Sequence, residues 1–147
     1  MLNQQAEHDF VETMRRVHEN LHAHIREFRE LVAGQPTRGS VLAMLRTLSS
    51  ELQKHFELEE RDGYLGEAVA HAPRLSDQAN RLLRQHAVLT EELSVLVAVA
   101  NRDAATDELP ADFATLADTF IRKIIAHERA EDNLIQNAYE QDVEAKD

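Results

Sequence analysis

The chain has no cysteine. That excludes disulfides, thiolate metal sites, iron–sulfur clusters and a cysteine nucleophile. Glycine and proline are scarce, at 4 and 3 of 147 residues, which disfavours a turn-rich all-β fold. No hydrophobic run approaches the roughly 18–20 residues of a membrane span. The opening Met1-Leu2-Asn3-Gln4-Gln5 has neither the basic nor the apolar region of a signal peptide. The expectation is a soluble, cytoplasmic protein. Positive charge is in deficit: 16 Lys and Arg face 27 Asp and Glu, a formal net charge of -11. An acidic surface argues against nucleic acid and anionic membrane as partners.

Histidine is plentiful instead, with eight residues. With sulfur excluded, any metal must rest on nitrogen and oxygen. A composition of 43% hydrophobic and 29% charged residues reads as globular, and the length suits a single domain over 1–147.

The apolar residues follow a helical period. Phe10, Met14, Val17, Leu21, Ile25, Phe28 and Val32 share one face of a helix over about 4–33, stopped by Gly34-Gln35-Pro36. Val41, Met44, Leu45, Leu48, Leu52 and Phe56 mark a second helix over about 40–62, with Ser40 as its expected N-cap. Leu75, Leu82, His86, Leu89, Leu93, Leu96 and Val97 mark a third over about 75–100, with Ser76 or Asp77 as cap. Phe113, Leu116, Phe120, Ile124, His127 and Leu134 mark a fourth over about 110–139, after a polar loop from Asn101 to Pro110. No segment alternates with period two, so no strand is expected. The fold class is therefore all-α, an antiparallel up-down-up-down four-helix bundle, because short joins make neighbours antiparallel. A short extra helix or loop is expected over Gly63–Ala72, and a fraying tail after about Glu140.

The two halves of the chain are alike. His18-x-x-Leu21 in the first helix matches His86-x-x-Leu89 in the third, 68 residues on. His55-x-x-x-Glu59 in the second matches His127-x-x-x-Glu131 in the fourth, 72 residues on, and each glutamate is followed by another acid. Residues four apart on a helix lie about one turn apart on one face, so an imidazole and a carboxylate can converge on a point. His55 and His127 continue the apolar stripes, and Glu59 and Glu131 lie only about 40° further round. A carboxylate aimed into a core is costly unless a cation compensates it. Two of them, each a turn from a histidine, are explained by a pair of bound cations. Nitrogen and oxygen donors in a bundle core suit iron or manganese, with zinc also possible.

With these motifs in place, the sequence resembles the hemerythrin-like (HHE cation-binding) domain family over nearly its whole length. The matching residues are His18, His55 with Glu59, His86, and His127 with Glu131. The resemblance implies a four-helix bundle holding two iron ions joined by an oxo or hydroxo bridge, with manganese and zinc ranked behind iron. It implies a protein that binds or senses dioxygen, nitric oxide or a related oxidant. The alternatives are a peroxidase or catalase-like enzyme acting on hydrogen peroxide, and an iron-handling protein. Monomer and weak dimer are both open, and no protein partner is indicated.

The sequence departs from the family pattern at three places. Oxygen-carrying members repeat His at plus four on the third helix, where this chain has Thr90; the first helix instead carries His22 four residues after His18. His22 is thus the candidate fifth histidine, and its fate separates carriage from turnover. The fourth helix offers both Glu131 and Asp132, of which the repeat favours Glu131. Tyr64 closely follows the second motif and reads as packing. His8, His24 and His71 need no special role. Glu57, Glu60 and Glu128 read as solvated, with Glu60 and Glu128 as candidates to orient an imidazole. Ile121 and Ile125 fall off the fourth stripe and offer a dimer contact.

Overall fold

The computed structural model describes residues 4–61, 64–102 and 105–146, and it is helical throughout its regular structure, with no strand among the described residues. Four long helices and one short one follow in order: α1 Gln4–Ala33, α2 Arg38–Arg61, α3 Tyr64–His71, α4 Ser76–Ala100 and α5 Phe113–Lys146, with a 3₁₀ turn Pro73–Leu75 before α4. The expected extra helix between the second and third stripes is α3. The long helices pack in a ring, α1 on α2 and α5, and α4 on α2 and α5, while α3 lies against α2, α4 and α5.

The helix ends explain where each element starts. After α1, the Gly34 N–H donates to the carbonyls of Glu30 and Leu31, closing the last turn. Thr37, not Ser40, caps α2. The Ser40 N–H donates to Thr37 Oγ1 at 3.1 Å, and the Thr37 N–H donates to Ser40 Oγ at 3.2 Å. This reciprocal pair satisfies donors that the first turn otherwise leaves open. The α4 cap position is Leu75, which supplies no side-chain bond, so neither Ser76 nor Asp77 caps it. Ser76 instead donates its hydroxyl to the Pro73 carbonyl. α5 begins at Phe113, three residues later than expected, because a turn closed by the Phe113 N–H on the Pro110 carbonyl precedes it. It runs on to Lys146, past the expected end at about 139, in keeping with a stretch of helix formers free of Gly and Pro.

Arg38 is buried at the start of α2 and ties it to the connection between α4 and α5. Its guanidinium donates to the carbonyls of Ala100, Arg102, Thr106 and Glu108 at 2.6–3.0 Å. The one at Ala100 lies at the C-terminal end of α4, where helix carbonyls lack intrahelical partners.

The apolar core divides in two. One cluster gathers Leu21, Ile25 and Phe28 of α1, Val41 through Phe56 of α2, Leu89 through Ala100 of α4, and Phe113 through Ile124 of α5. The other gathers Met14, Leu65, Ala68, Ala79, Leu82, Leu134, Ile135 and Ala138, with α3 as part of its wall. The α5 face differs from the expected stripe. Ile121 is buried and Ile125 packs on the first cluster, so neither forms a free dimer contact, whereas Leu116 is exposed. A helix that meets α1, α3 and α4 needs a wider apolar face than a single stripe. Phe10 and Tyr64 have side chains outside the described residues. No helix is long and apolar enough to cross a membrane among the described residues.

Candidate metal centre

Between the two apolar clusters of the chain lies a polar set: His18 from α1, His55 and Glu59 from α2, His86 from α4, and His127, Glu128 and Glu131 from α5, all buried. Each α2 and α5 pair is joined within its own helix, as the four-residue spacing demands. His55 Nε2 lies 2.5 Å from Glu59 Oε1, and His127 Nε2 contacts Glu131 Oε1.

Glu59 and Glu131 each present one oxygen to either side. Glu59 Oε1 faces His55 and, at 3.7 Å, His18, while its Oε2 lies 2.9 Å from His86 Nε2. Glu131 Oε1 faces His127 and, at 3.8 Å, His86, while its Oε2 lies 3.8 Å from His18 Nε2. The donor atoms therefore sort into two groups that share Glu131: His18, His55, Glu128 and Glu131, and Glu59, His86, His127 and Glu131. Within each group the atoms lie within 4.8 Å of one another. These buried groups could hold a metal ion.

The donor chemistry fits one. The Nε2 atoms of His55, His86 and His127 and both oxygens of Glu59, Glu128 and Glu131 are buried without completing a hydrogen bond. Buried polar atoms are normally satisfied, and so many converging lone pairs call for a shared cation.

The opposite ring nitrogens point outward to partners. His18 Nδ1 meets Asp132 Oδ1 at 2.5 Å, His86 Nδ1 meets Glu60 Oε1 at 2.9 Å, and His127 Nδ1 meets Gln85 Oε1 at 2.6 Å. An oxygen accepting the Nδ1 proton leaves the Nε2 lone pair facing the centre, which is how metal-binding imidazoles are oriented. Glu60 and Asp132 are both five residues after the histidine of their motif, and each reaches the lone histidine of the other half. His55 Nδ1 has no hydrogen-bond partner among the described residues. Phe56 stacks on His86, ring centroids 4.0 Å apart and planes at 11°.

The electrostatics of the cluster favour protonated imidazoles. Burial works against a charged His18, yet Asp132, Glu59 and Glu128 outweigh it and raise its pKa from 6.5 to about 11. His55 is likewise pushed up to about 9, with Glu128 and Glu59 overcoming burial, and His86 to about 10, with Glu131, Glu59 and Glu60 doing so. Burial also opposes ionisation of Glu59, but Glu131 and the surrounding histidines lower its pKa. Glu131 is raised, by burial and then by its neighbour Glu59. The two carboxylates share the work, one ionised and one inclined to hold a proton. The carboxylates that raise these imidazole pKa values would equally attract a metal cation.

The sequence-predicted residues fare differently. His18, His55, Glu59, His86, His127 and Glu131 come together. His22 joins neither group; it is half-buried and its Nε2 has no hydrogen-bond partner among the described residues. Asp132 stands outside, on the His18 ring. His24 pairs with Glu51 at 2.7 Å near the surface, the His71 ring lies 4.7 Å from that of Tyr139, and His8 is exposed. Glu57 is exposed, and Glu60 is half-exposed while holding His86. Glu128 departs from the solvated position expected of it: it is 0% exposed. A signal existed, because the repeat sets Glu128 opposite Phe56, a core position of the second stripe.

Surface clefts approach the centre. One of about 580 Å³ between α2 and α4 reaches His86 past Phe56 and Thr90, one of about 300 Å³ between α4 and α5 reaches His127, and one of about 280 Å³ between α1 and α2 reaches His55.

No family model, no curated protein and no solved structure matches the chain.

Proposed function

We propose that this protein is a hemerythrin-like, non-haem di-iron protein that binds or senses dioxygen or a related small oxidant, built as an up-down-up-down four-helix bundle. The observation that carries this reading is the pair of donor groups sharing Glu131, with Glu59 also turned to both. Two carboxylates with one oxygen to each side suit two cations held close together. The imidazole and carboxylate donors suit iron, ahead of manganese and zinc. Iron, when bound there, supplies a pair of redox-active ions able to exchange electrons with one small ligand.

The chain's own residues do the rest. Glu59 and Glu131 neutralise charge and set the spacing. Asp132, Glu60 and Gln85 fix three imidazoles with Nε2 inward. Phe56 covers His86 and keeps water from one side of its ring. The short join at 34–37 and the ring of helix contacts favour antiparallel neighbours.

A peroxidase or catalase-like role is the second reading, and the position of His22 favours it. With no fifth histidine in either donor group, the donor set departs from that expected of an oxygen carrier. Metal analysis with an absorption spectrum of the purified protein is the test. Two irons per chain and a stable, reversible spectral change when reduced protein meets air support the binding reading. Oxygen release from added hydrogen peroxide supports the enzyme. Protein purified from iron-replete cells with no iron defeats both.

A further inference from the structure

The internal repeat is broken at one place inside the centre. The residue after the motif histidine is Phe56 in α2 and Glu128 in α5. Phe56 lies flat on His86. Its counterpart Glu128 is fully buried on the other side of the centre, with Oε2 3.1 Å from His18 Nε2 and Oε1 3.3 Å from His55 Nε2. Neither oxygen completes a hydrogen bond. Where one half of the centre has an apolar ring, the other has an ionisable carboxylate aimed inward.

We propose that Glu128 is a third metal-ligating carboxylate, which closes the His18–His55 position and leaves the His86–His127 position open to an exogenous small ligand. This rests on the metal-binding reading above and deepens it.

A donor count makes the asymmetry concrete. His18, His55 and Glu128, with one oxygen each of Glu59 and Glu131, offer five donors on one side. His86 and His127, with the other oxygens of the same two glutamates, offer four. The fuller side carries the additional negative charge, so it attracts the first cation more strongly. Three carboxylates against two divalent ions leave a single positive charge, which one small anion balances. That anion is expected on the side with fewer protein donors, where clefts reach both His86 and His127. Glu128 thus does for one position what a fifth histidine would do, and His22 is not needed.

The experiment is an anaerobic titration of the metal-free full-length protein with ferrous iron, followed by azide. Wild type should take two ions in two unequal steps and then one azide per pair. Glu128→Gln, checked for folding by circular dichroism, should weaken the first step by about tenfold or more and admit a second azide. Glu128→Asp should restore part of the first step. His55→Ala should remove the same step that Glu128→Gln weakens, and His127→Ala the other. A folded Glu128→Gln whose titration superimposes on that of wild type overturns the proposal. So does wild type binding two azides per pair, an outcome that needs no variant. In both cases iron still binds, and the metal reading survives. Wild type that binds no iron overturns the metal reading and this proposal together.

Discussion

The half of the centre built on His18 and His55 and the half built on His86 and His127 come from one repeated pattern, yet they are finished differently. Each has a histidine held through Nδ1 by the acid five residues after the opposite motif: Asp132 for His18, Glu60 for His86. There the likeness stops. His127 also has an outer partner, Gln85, whereas His55 has none among the described residues, because Val17 occupies the place in the repeat that Gln85 fills. One half adds Glu128, the other Phe56. Small changes beside conserved spacing are enough to give two neighbouring sites unequal charge, unequal rigidity and unequal cover. The spacing itself can stay untouched, because helix geometry keeps the donor side chains in register whatever their neighbours are.

The most severe way to break the comparison is to remove what the halves share. Glu131→Ala should empty both positions, so that metal content falls to near zero and the melting temperature no longer responds to iron. Retention of full metal content in that variant would count against a shared carboxylate. Chelation should have the parallel effect on the wild type, lowering its melting temperature, since bound metal stabilises the fold.

Changing pH should move the metal-free and metal-loaded proteins in opposite senses. In the metal-free chain the pKa values of His18, His55 and His86 are raised from 6.5 to about 11, 9 and 10. Their stabilisation is complete below about 6.5 and is lost as the pH climbs through about 9–11. Glu59, with a lowered pKa, contributes above the usual carboxylate range and loses that contribution in strong acid. The loaded protein needs unprotonated imidazoles and should shed metal on acidification. Melting curves of both forms from pH 5 to pH 10 check this; a metal-free protein that becomes more stable from pH 7 to 10 would contradict it.

The outer partners offer a finer probe. Asp132→Asn and Glu60→Gln should each weaken metal binding by roughly 10–100-fold, and Gln85→Leu by about tenfold. Gln85→Leu also makes His127 resemble His55, so it should narrow the difference between the two halves. Equal binding curves for all three variants and wild type would mean that the Nδ1 contacts do not orient the rings. The smallest effect is expected at His22: His22→Ala should keep both metals, and loss of one ion would return His22 to the ligand set.

Much of this centre was legible beforehand. His55 with Glu59 and His127 with Glu131 are intrahelical pairs, and a four-residue step fixes their shared face without any knowledge of the rest of the fold. His18 and His86 were legible because they sit within apolar stripes and repeat. Helix ends were less so. Thr37 took the cap expected of Ser40 through its reciprocal bonds with that residue, and α5 ran beyond 139 because no Gly or Pro stops it. Leu116 and Ile121 exchanged their expected exposures because the width of the buried face depends on how many neighbours a helix meets.

The sequence by itself determined the helices, the absence of thiolate chemistry, and six histidines and glutamates at helical spacing in the core. Only the tertiary structure decided what lies next to them. Glu128 sits about 100° round from His127 on the same helix, a position that reads as flank until α1 and α2 pack against it. His22 has the spacing of a ligand and still stays out of both groups. Periodicity fixes direction relative to one helix axis; whether that direction meets water, a phenyl ring or an imidazole depends on the rotation and neighbours of the other helices, and these are settled by packing.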